Sequence, residues 1–232
     1  MRIRVALSPA EKLSAPVGVV IDVLRATTTI SQALASGYER VLCTAQVDEA
    51  RAAAAANAPA VLGGERQHVR IEGFDLGNSP TEYVGAPKAP TLVISTTNGT
   101  PLLVSAAERC ETVLLGSLAT LGALADAVRA SGTDDLVLLC AGVQGELAID
   151  DVYVAGRLAE ELGGQWEDSA RAAVRLVHSY DRAFDALAES LSGRNLIDVG
   201  MTSDVEWCAV ESRLAVVPRF RRLVGSAVEV TL

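Results

Sequence analysis

Aromatic side chains are scarce: phenylalanine, tryptophan and tyrosine make up 4% of the 232 residues, although 50% of the residues are hydrophobic. A core with so few rings must be built from Ala, Val and Leu, which suits helices packed on a sheet. Histidine is scarcer still, and the pair His68 and His178 is too few for a histidine-rich metal site. The cysteines Cys43, Cys110, Cys140 and Cys208 form no C-x-x-C pair. That argues against structural zinc and leaves buried, reduced thiols as the expectation. No apolar run approaches the roughly 20 residues of a membrane span. The start, Met1-Arg2-Ile3-Arg4-Val5, alternates like a strand and lacks a signal region. The expectation is a soluble, cytoplasmic protein with no membrane partner. Basic residues are outnumbered, 20 against 29 acidic, for a net charge of −9. Nucleic-acid binding needs a basic face, so that class is set aside. The same charge repels anions at long range. An anionic substrate therefore needs local arginines or a metal ion to reverse the field.

The stretch Ser95-Thr96-Thr97-Asn98-Gly99-Thr100-Pro101 follows the apolar run 91–94 and precedes an apparent helix, 102–109. A strand that ends in hydroxyl and amide groups, turns at glycine and opens a helix is a good shape for an anion. Gly99 supplies backbone freedom, Thr100 is the expected cap, and Pro101 fits the first helical position. The free N–H groups and the helix dipole then face the ligand. An ordinary strand-to-helix turn is the competing reading.

Strand and helix patterns alternate through residue 140, which predicts a mostly parallel or mixed sheet covered on both faces, a three-layer α/β/α fold. A strand–turn–helix–strand order occurs twice, with equal intervals from Val20 to Val41 and from Leu92 to Val113. This suggests a weak βαβ repeat within one domain, 1–232, with pseudo-repeated lobes at about 1–90 and 91–232. Residues 67–79 read as a long loop, followed by a helix with Ser79 as cap, Pro80 first and Glu82 closing a capping box. Residues 167–191 look helical, and short strands are expected at 205–210 and 227–230.

Ligands in such sheets bind beyond the carboxyl ends of strands, and the polar motifs fall at those ends. Asp22 and Arg25 suit a metal ligand or nucleophile and a phosphate grip; equally, they suit a salt bridge across the turn. Leu24 stands where a D-x-D-x-T phosphatase has its second acid, which counts against that aspartyl-phosphate class. Glu65-Arg66 follows two glycines, and a surface pair on a hairpin is its alternative. Asp75, Asn78 and Ser79 also have ordinary turn and cap roles. Asp150 and Asp151 fit a helix N-terminus as well as a metal. Cys140 is a candidate nucleophile, but no histidine is near it in sequence and a packed thiol is preferred. Together Asp22, Glu65, Asp75, Asp150 and Asp151 are expected at one sheet edge beside the hydroxyl-rich turns. Oxygen ligands with few histidines suit magnesium. A hard cation beside an anion cradle is what phosphoryl transfer requires.

The ordered motifs Val20-Ile21-Asp22-Val23-Leu24-Arg25-Ala26-Thr27-Thr28, Gly64-Glu65-Arg66, Gly73-Phe74-Asp75-Leu76-Gly77-Asn78-Ser79-Pro80, Thr96-Thr97-Asn98-Gly99-Thr100 and Cys140-Ala141-Gly142 resemble the 2-phosphosulfolactate phosphatases, the ComB family. The resemblance runs from about residue 17 to 156 and resumes at Asp204-Val205-Glu206-Trp207-Cys208-Ala209 and Val217-Pro218. It implies a magnesium-dependent phosphatase of α/β fold that converts 2-phospho-3-sulfolactate to 3-sulfolactate and phosphate, a step towards coenzyme M. The family usually has a glycine soon after Gly-Glu-Arg, where this chain has Gln67-His68-Val69.

The expected metal ligands are Asp22, Glu65 and one or both of Asp150 and Asp151, with water as nucleophile and Asp75 as candidate general base. The expected phosphate cradle is Thr97, Asn98, Gly99 and Thr100, with Thr96 a further substrate contact. Arg25 and Arg66 would meet the phosphate or a second anionic group. Further substrate contacts are assigned to Thr27, Thr28, Asn78, Ser79 and Gly142. The partner is a small anionic phosphorylated substrate, and the wealth of apolar residues leaves room for a homo-oligomer. Alternatives are a non-catalytic binder of a phosphorylated metabolite, a phosphatase of phosphoglycolate- or phospholactate-like esters, and a covalent enzyme using Cys140.

Overall fold

The computed structural model describes residues 1–85, 87–96 and 99–232. In chain order their strands are β1 (Arg2–Ala6), β2 (Ala15–Ile21), β3 (Arg40–Thr44), β4 (Ala60–Arg66), β5 (Val69–Arg70), β6 (Thr91–Ser95), β7 (Cys110–Gly116), β8 (Asp135–Cys140), β9 (Gln165–Trp166), β10 (Arg219–Val224) and β11 (Ala227–Thr231). The helices are α1 (Ala26–Ala35), α2 (Val47–Ala56), α3 (Gly99–Ala107), α4 (Leu121–Ala130), α5 (Ile149–Leu162), α6 (Asp168–Val177), α7 (Ala183–Glu189), α8 (Leu191–Asp198) and α9 (Thr202–Cys208). Among these residues no helix is long and apolar enough to cross a membrane.

All the strands belong to one sheet, in the order β5-β4-β6-β3-β11-β10-β7-β2-β8-β1-β9. Two parallel blocks, β4-β6-β3 and β7-β2-β8-β1-β9, flank the antiparallel C-terminal hairpin β10–β11. Because β11 is antiparallel to β3 and β10 to β7, the blocks run in opposite senses. Side chains alternate between faces as a pleated strand requires. Val19 and Ile21 enter the core under α4, α5 and α6, while Val20 enters the core with Ile30 of α1 and Leu103 of α3. Leu42 packs with Ala50 of α2. Helices therefore cover both faces, and the fold is the expected mixed three-layer α/β/α arrangement, its core mainly Ala, Val and Leu.

The repeated strand–helix–strand order is present as β2-α1-β3 and β6-α3-β7, but the strands of one unit are not neighbours. Their pairing is exchanged: β2 lies beside β7, and β3 beside β6. Strands from 1–90 and from 91–232 thus share both blocks.

Several local expectations are corrected. Residues 205–210 are not a strand: Val205 and Cys208 are buried on α9, three apart, and so short an apolar run does not distinguish helix from strand. The helix expected after Ser79 is a single 3-10 turn, Pro80–Tyr83, without a side-chain cap. Glu82 accepts instead from the Gly77 N–H at 2.8 Å. Helix α3 begins at Gly99, so Thr100 lies inside it and is not its cap. The helical stretch 167–191 divides into α6 and α7, with residues 178–182 between them.

Candidate active site

Asp22 follows the last residue of β2 and enters the turn before α1. Its Oδ1 accepts from the Ala26 N–H at 3.3 Å, and its Oδ2 sits close enough to α3 that a Cβ added at Gly99 would lie 3.1 Å away. Asp22 is thus held between two helix N-termini, where donors and dipoles favour a negative charge. The helices bring the carboxyl ends of β2 and β6 together although their blocks run oppositely. The site lies between the blocks, rather than along one edge of a unidirectional sheet.

Opposite Asp22 is Glu65, the penultimate residue of β4. Gly64 before it has φ +139°, and a Cβ there would stand 2.2 Å from the Ser95 carbonyl oxygen, so only glycine lets β4 pass β6 this closely. Glu65 Oε2 accepts from the His68 N–H at 2.9 Å. Gln67 and His68 form the β4–β5 hairpin turn in left-handed conformations, φ 52° and 68°.

Arg25 is almost wholly buried. Its Nη1 donates to Asp204 Oδ2 at 2.6 Å, and the Ser79 hydroxyl donates to Asp204 Oδ1 at 2.6 Å. The N-terminus of α5 supplies two further acids. Asp151 accepts from the Val23 N–H and the Gly142 N–H, both at 2.9 Å, and so ties together the loops after β2 and β8. Asp150 is buried beside it, and its Oδ1 has no hydrogen-bond partner.

Crowded carboxylates under little water resist ionisation. Loss of hydration pushes Asp22 up to about 7; the Ala26 N–H opposes this, Asp150 and Glu65 raise it further, and Arg25 lowers it. Desolvation likewise pushes Asp150 up to about 6, against the helix N–H groups and the hydroxyls of Ser190 and Ser192. Asp151 is raised well above its usual range by burial and then by Asp150 and Asp22. His68 is lowered, chiefly by desolvation.

Asp22, Glu65, Arg25, Asn78 and Thr96 from the sequence expectation line a cavity of about 370 Å³. Its lining also includes Leu24, Gln67, His68, Val143, Gln144, Ser192 and Asn195, which that expectation left out. Apart from Leu24, which lies in a resembling block, and the unusual Gln67-His68, no sequence signal marks them, since Val143, Gln144, Ser192 and Asn195 arrive from a loop and from α8 only on folding. Asp204 was visible only as part of a resembling block, with no role attached.

Other expected residues lie elsewhere. Thr97 and Asn98 fall outside the described residues. The Thr27 hydroxyl lies 2.8 Å and 2.7 Å from the carbonyl oxygens of Asp22 and Gly116, and that of Thr28 donates to the Val23 carbonyl at 2.9 Å. Both shape the turn from within. Thr100 donates to the Thr44 carbonyl at 3.3 Å, and Gly99 packs behind Asp22. Ser79 is turned to Asp204, and Gly142 to Asp151. Arg66 is directed away from the cavity, donating to the carbonyls of Ala45 and Glu65, both at 2.7 Å, and to Ser95 Oγ at 3.0 Å. Asp75 is exposed, accepts from the Leu62 N–H at 2.9 Å and borders a different cavity, with Tyr38 and Glu82. It does not line the cavity of Asp22 and Glu65. Cys140 is fully buried and does not line the cavity, and burial followed by Asp151 and Asp150 raises its thiol well above the usual range, the environment of a packed thiol. Asp151 uses both oxygens to accept from backbone N–H groups and so also ties the turn together.

Whether the donors fit magnesium can be asked of the carboxylates themselves. Among the described residues no group of three or more His, Cys, Asp or Glu side chains converges to hold an ion outright. Magnesium, however, commonly takes one or two carboxylates and keeps several waters. The cavity presents Asp22 and Glu65, and Asp150 carries a buried oxygen without a donor. This all-oxygen, charge-crowded set fits a hard cation in kind.

An acid-rich cavity at a switch between parallel blocks, with one buried arginine, belongs to the α/β enzymes. The family described as 2-phosphosulpholactate phosphatase matches residues 3–222. A Thermus thermophilus protein is 40% identical, the match covering 98% of each chain. One from Carboxydothermus hydrogenoformans is 38% identical over 86% of this chain and 84% of its own, and one from Deinococcus radiodurans is 37% identical over 94% and 92%. Each of these relatives is named a probable 2-phosphosulfolactate phosphatase. The chain belongs to the 2-phosphosulfolactate phosphatase family and, with it, to the phosphoric monoester hydrolases.

Proposed function

We propose that this chain hydrolyses the phosphate monoester of 2-phospho-3-sulfolactate, giving 3-sulfolactate and phosphate, and that the reaction depends on magnesium. The observation that carries the reading is the meeting of Asp22, Glu65 and Arg25 on one cavity. Asp22 and Glu65 are the groups to hold the ion, with Asp150 behind them. Bound there, magnesium would supply the positive charge that the crowded carboxylates lack and that phosphoryl oxygens need in the transition state. Arg25 has the planar donor fork suited to phosphate, and Asn78 and Thr96 offer further polar contacts on the same wall. The buried floor limits access of bulk water, which strengthens each of these interactions. A net charge of −9 is reconciled with an anionic substrate because the cation and Arg25 reverse the field locally.

The test is phosphate release from 2-phosphosulfolactate and from phospholactate, with magnesium and then with excess EDTA. The expected result is release in magnesium alone, faster from the sulfonated ester. A folded protein that releases phosphate from neither compound overturns the reading and favours a binder, or an enzyme for another ester. Release that persists undiminished in EDTA removes the metal from it.

A further inference from the structure

Arg25 faces a conflict that its neighbours resolve. It lies on the same cavity as Asp22 and Glu65, and a guanidinium free to move would swing onto those carboxylates. There it would occupy the cation's place and withdraw from the phosphate. Instead Nη1 is drawn to Asp204 at 2.6 Å, in an ion pair whose side chains are 2% and 5% exposed. The sulfur of Met201, one residue before α9, lies 3.2 Å from the same nitrogen. Among the described residues, hydrogen bonds from Arg25 use Nη1 alone. Asp204 is itself held by the Ser79 hydroxyl at 2.6 Å, next to the cavity residue Asn78. Three segments far apart in sequence, 22–25, 78–79 and 201–204, thus share one buried node beside the cavity.

We propose that Asp204 is the positioning residue that aims Arg25 at the substrate's phosphate and keeps it off Asp22 and Glu65. Asp204 touches no substrate; it acts through the guanidinium. This inference rests on the phosphatase reading, but it concerns phosphate binding and can be tested without turnover. A buried pair broken on one side leaves the other charge uncompensated. Arg25 in Asp204→Asn is therefore expected to turn to the nearest carboxylates, weakening phosphate and magnesium binding together.

The experiment is a double-mutant cycle read by calorimetric titration of inorganic phosphate in magnesium. Asp204→Asn is expected to weaken phosphate binding by about tenfold or more in the wild-type background. In the Arg25→Ala background the same change is expected to have an effect of less than about twofold, because the residue through which it acts is gone. Ser79→Ala, which removes one bond to Asp204 and no charge, is expected to give a smaller loss that also vanishes without Arg25. It decides the matter should Asp204→Asn fail to fold. Equal losses in both backgrounds, or no loss with Arg25 present, would overturn the proposal by making Asp204 merely structural. A wild type that binds phosphate but hydrolyses neither ester would instead sink the phosphatase reading and leave the cycle interpretable.

Discussion

Asp22 pays in stability for its position. Its ordinary carboxyl range lies near 3.8, and burial pushes it up to about 7. A raised acid binds a proton in the folded state that the unfolded chain has already released, so stability falls as pH rises from about 4 to about 7. In EDTA the protein is expected to unfold at a lower temperature at pH 8 than at pH 5. Asp22→Asn should flatten that slope and raise the melting temperature at pH 8, while activity falls by two orders of magnitude or more, about 3 kcal/mol of transition-state stabilisation. A variant less stable than the wild type at pH 8 would refute this electrostatic account. Residue type in the sequence was informative at Asp22 and Glu65, which reach the cavity. Asp75 does not reach it, because an aspartate in a turn serves the backbone as readily as a substrate. Nor does Arg66: its guanidinium donates to four nearby backbone or hydroxyl oxygens, of Glu65, Ala45 and Ser95.

At the scale of elements, the close parallel pairing of β4 with β6 sets where Glu65 stands. Gly64→Ala would place a Cβ 2.2 Å from the Ser95 carbonyl oxygen at φ +139°. Gly73→Ala, at φ +78° with nothing within 4 Å, meets backbone strain alone. The expected cost is about 1 kcal/mol at Gly73 and at least about 2 kcal/mol at Gly64. Urea melts would measure both, and equal costs would show that the strand pairing yields. Activity should fall with Gly64→Ala, since Glu65 moves with the strand. The strands were legible as short continuous apolar runs, such as 17–21, because helices bury both faces of the sheet and both sets of side chains are apolar, as with Val19, Val20 and Ile21. The helix at 202–208 was not, since so short an apolar stretch carries too little periodicity to tell helix from strand.

Over the whole molecule, the acid excess acts on every anionic substrate before it reaches the cavity. Raising ionic strength from about 10 mM to 150 mM shortens the screening length from about 30 Å to about 8 Å. With magnesium held saturating, kcat/KM for a phosphorylated sulfonate is expected to rise over that range through faster encounter, with kcat little changed. A fall in kcat/KM would show that the local cation and Arg25, not the −9 net charge, govern approach.

The sequence by itself determined the α/β class, the alternation of strand and helix and the phosphatase family, because local periodicity and short ordered motifs are written in consecutive residues. It also marked Asp22, Glu65, Arg25, Asn78 and Thr96, each beside a strand end or in a turn. Only the tertiary structure decided that β2 pairs with β7 and β3 with β6, that the C-terminal hairpin joins two opposed blocks, and that Asp204 meets Arg25. Strand order and the partner of a buried charge depend on which distant segments share a core. No interval of neighbouring residues carries that information.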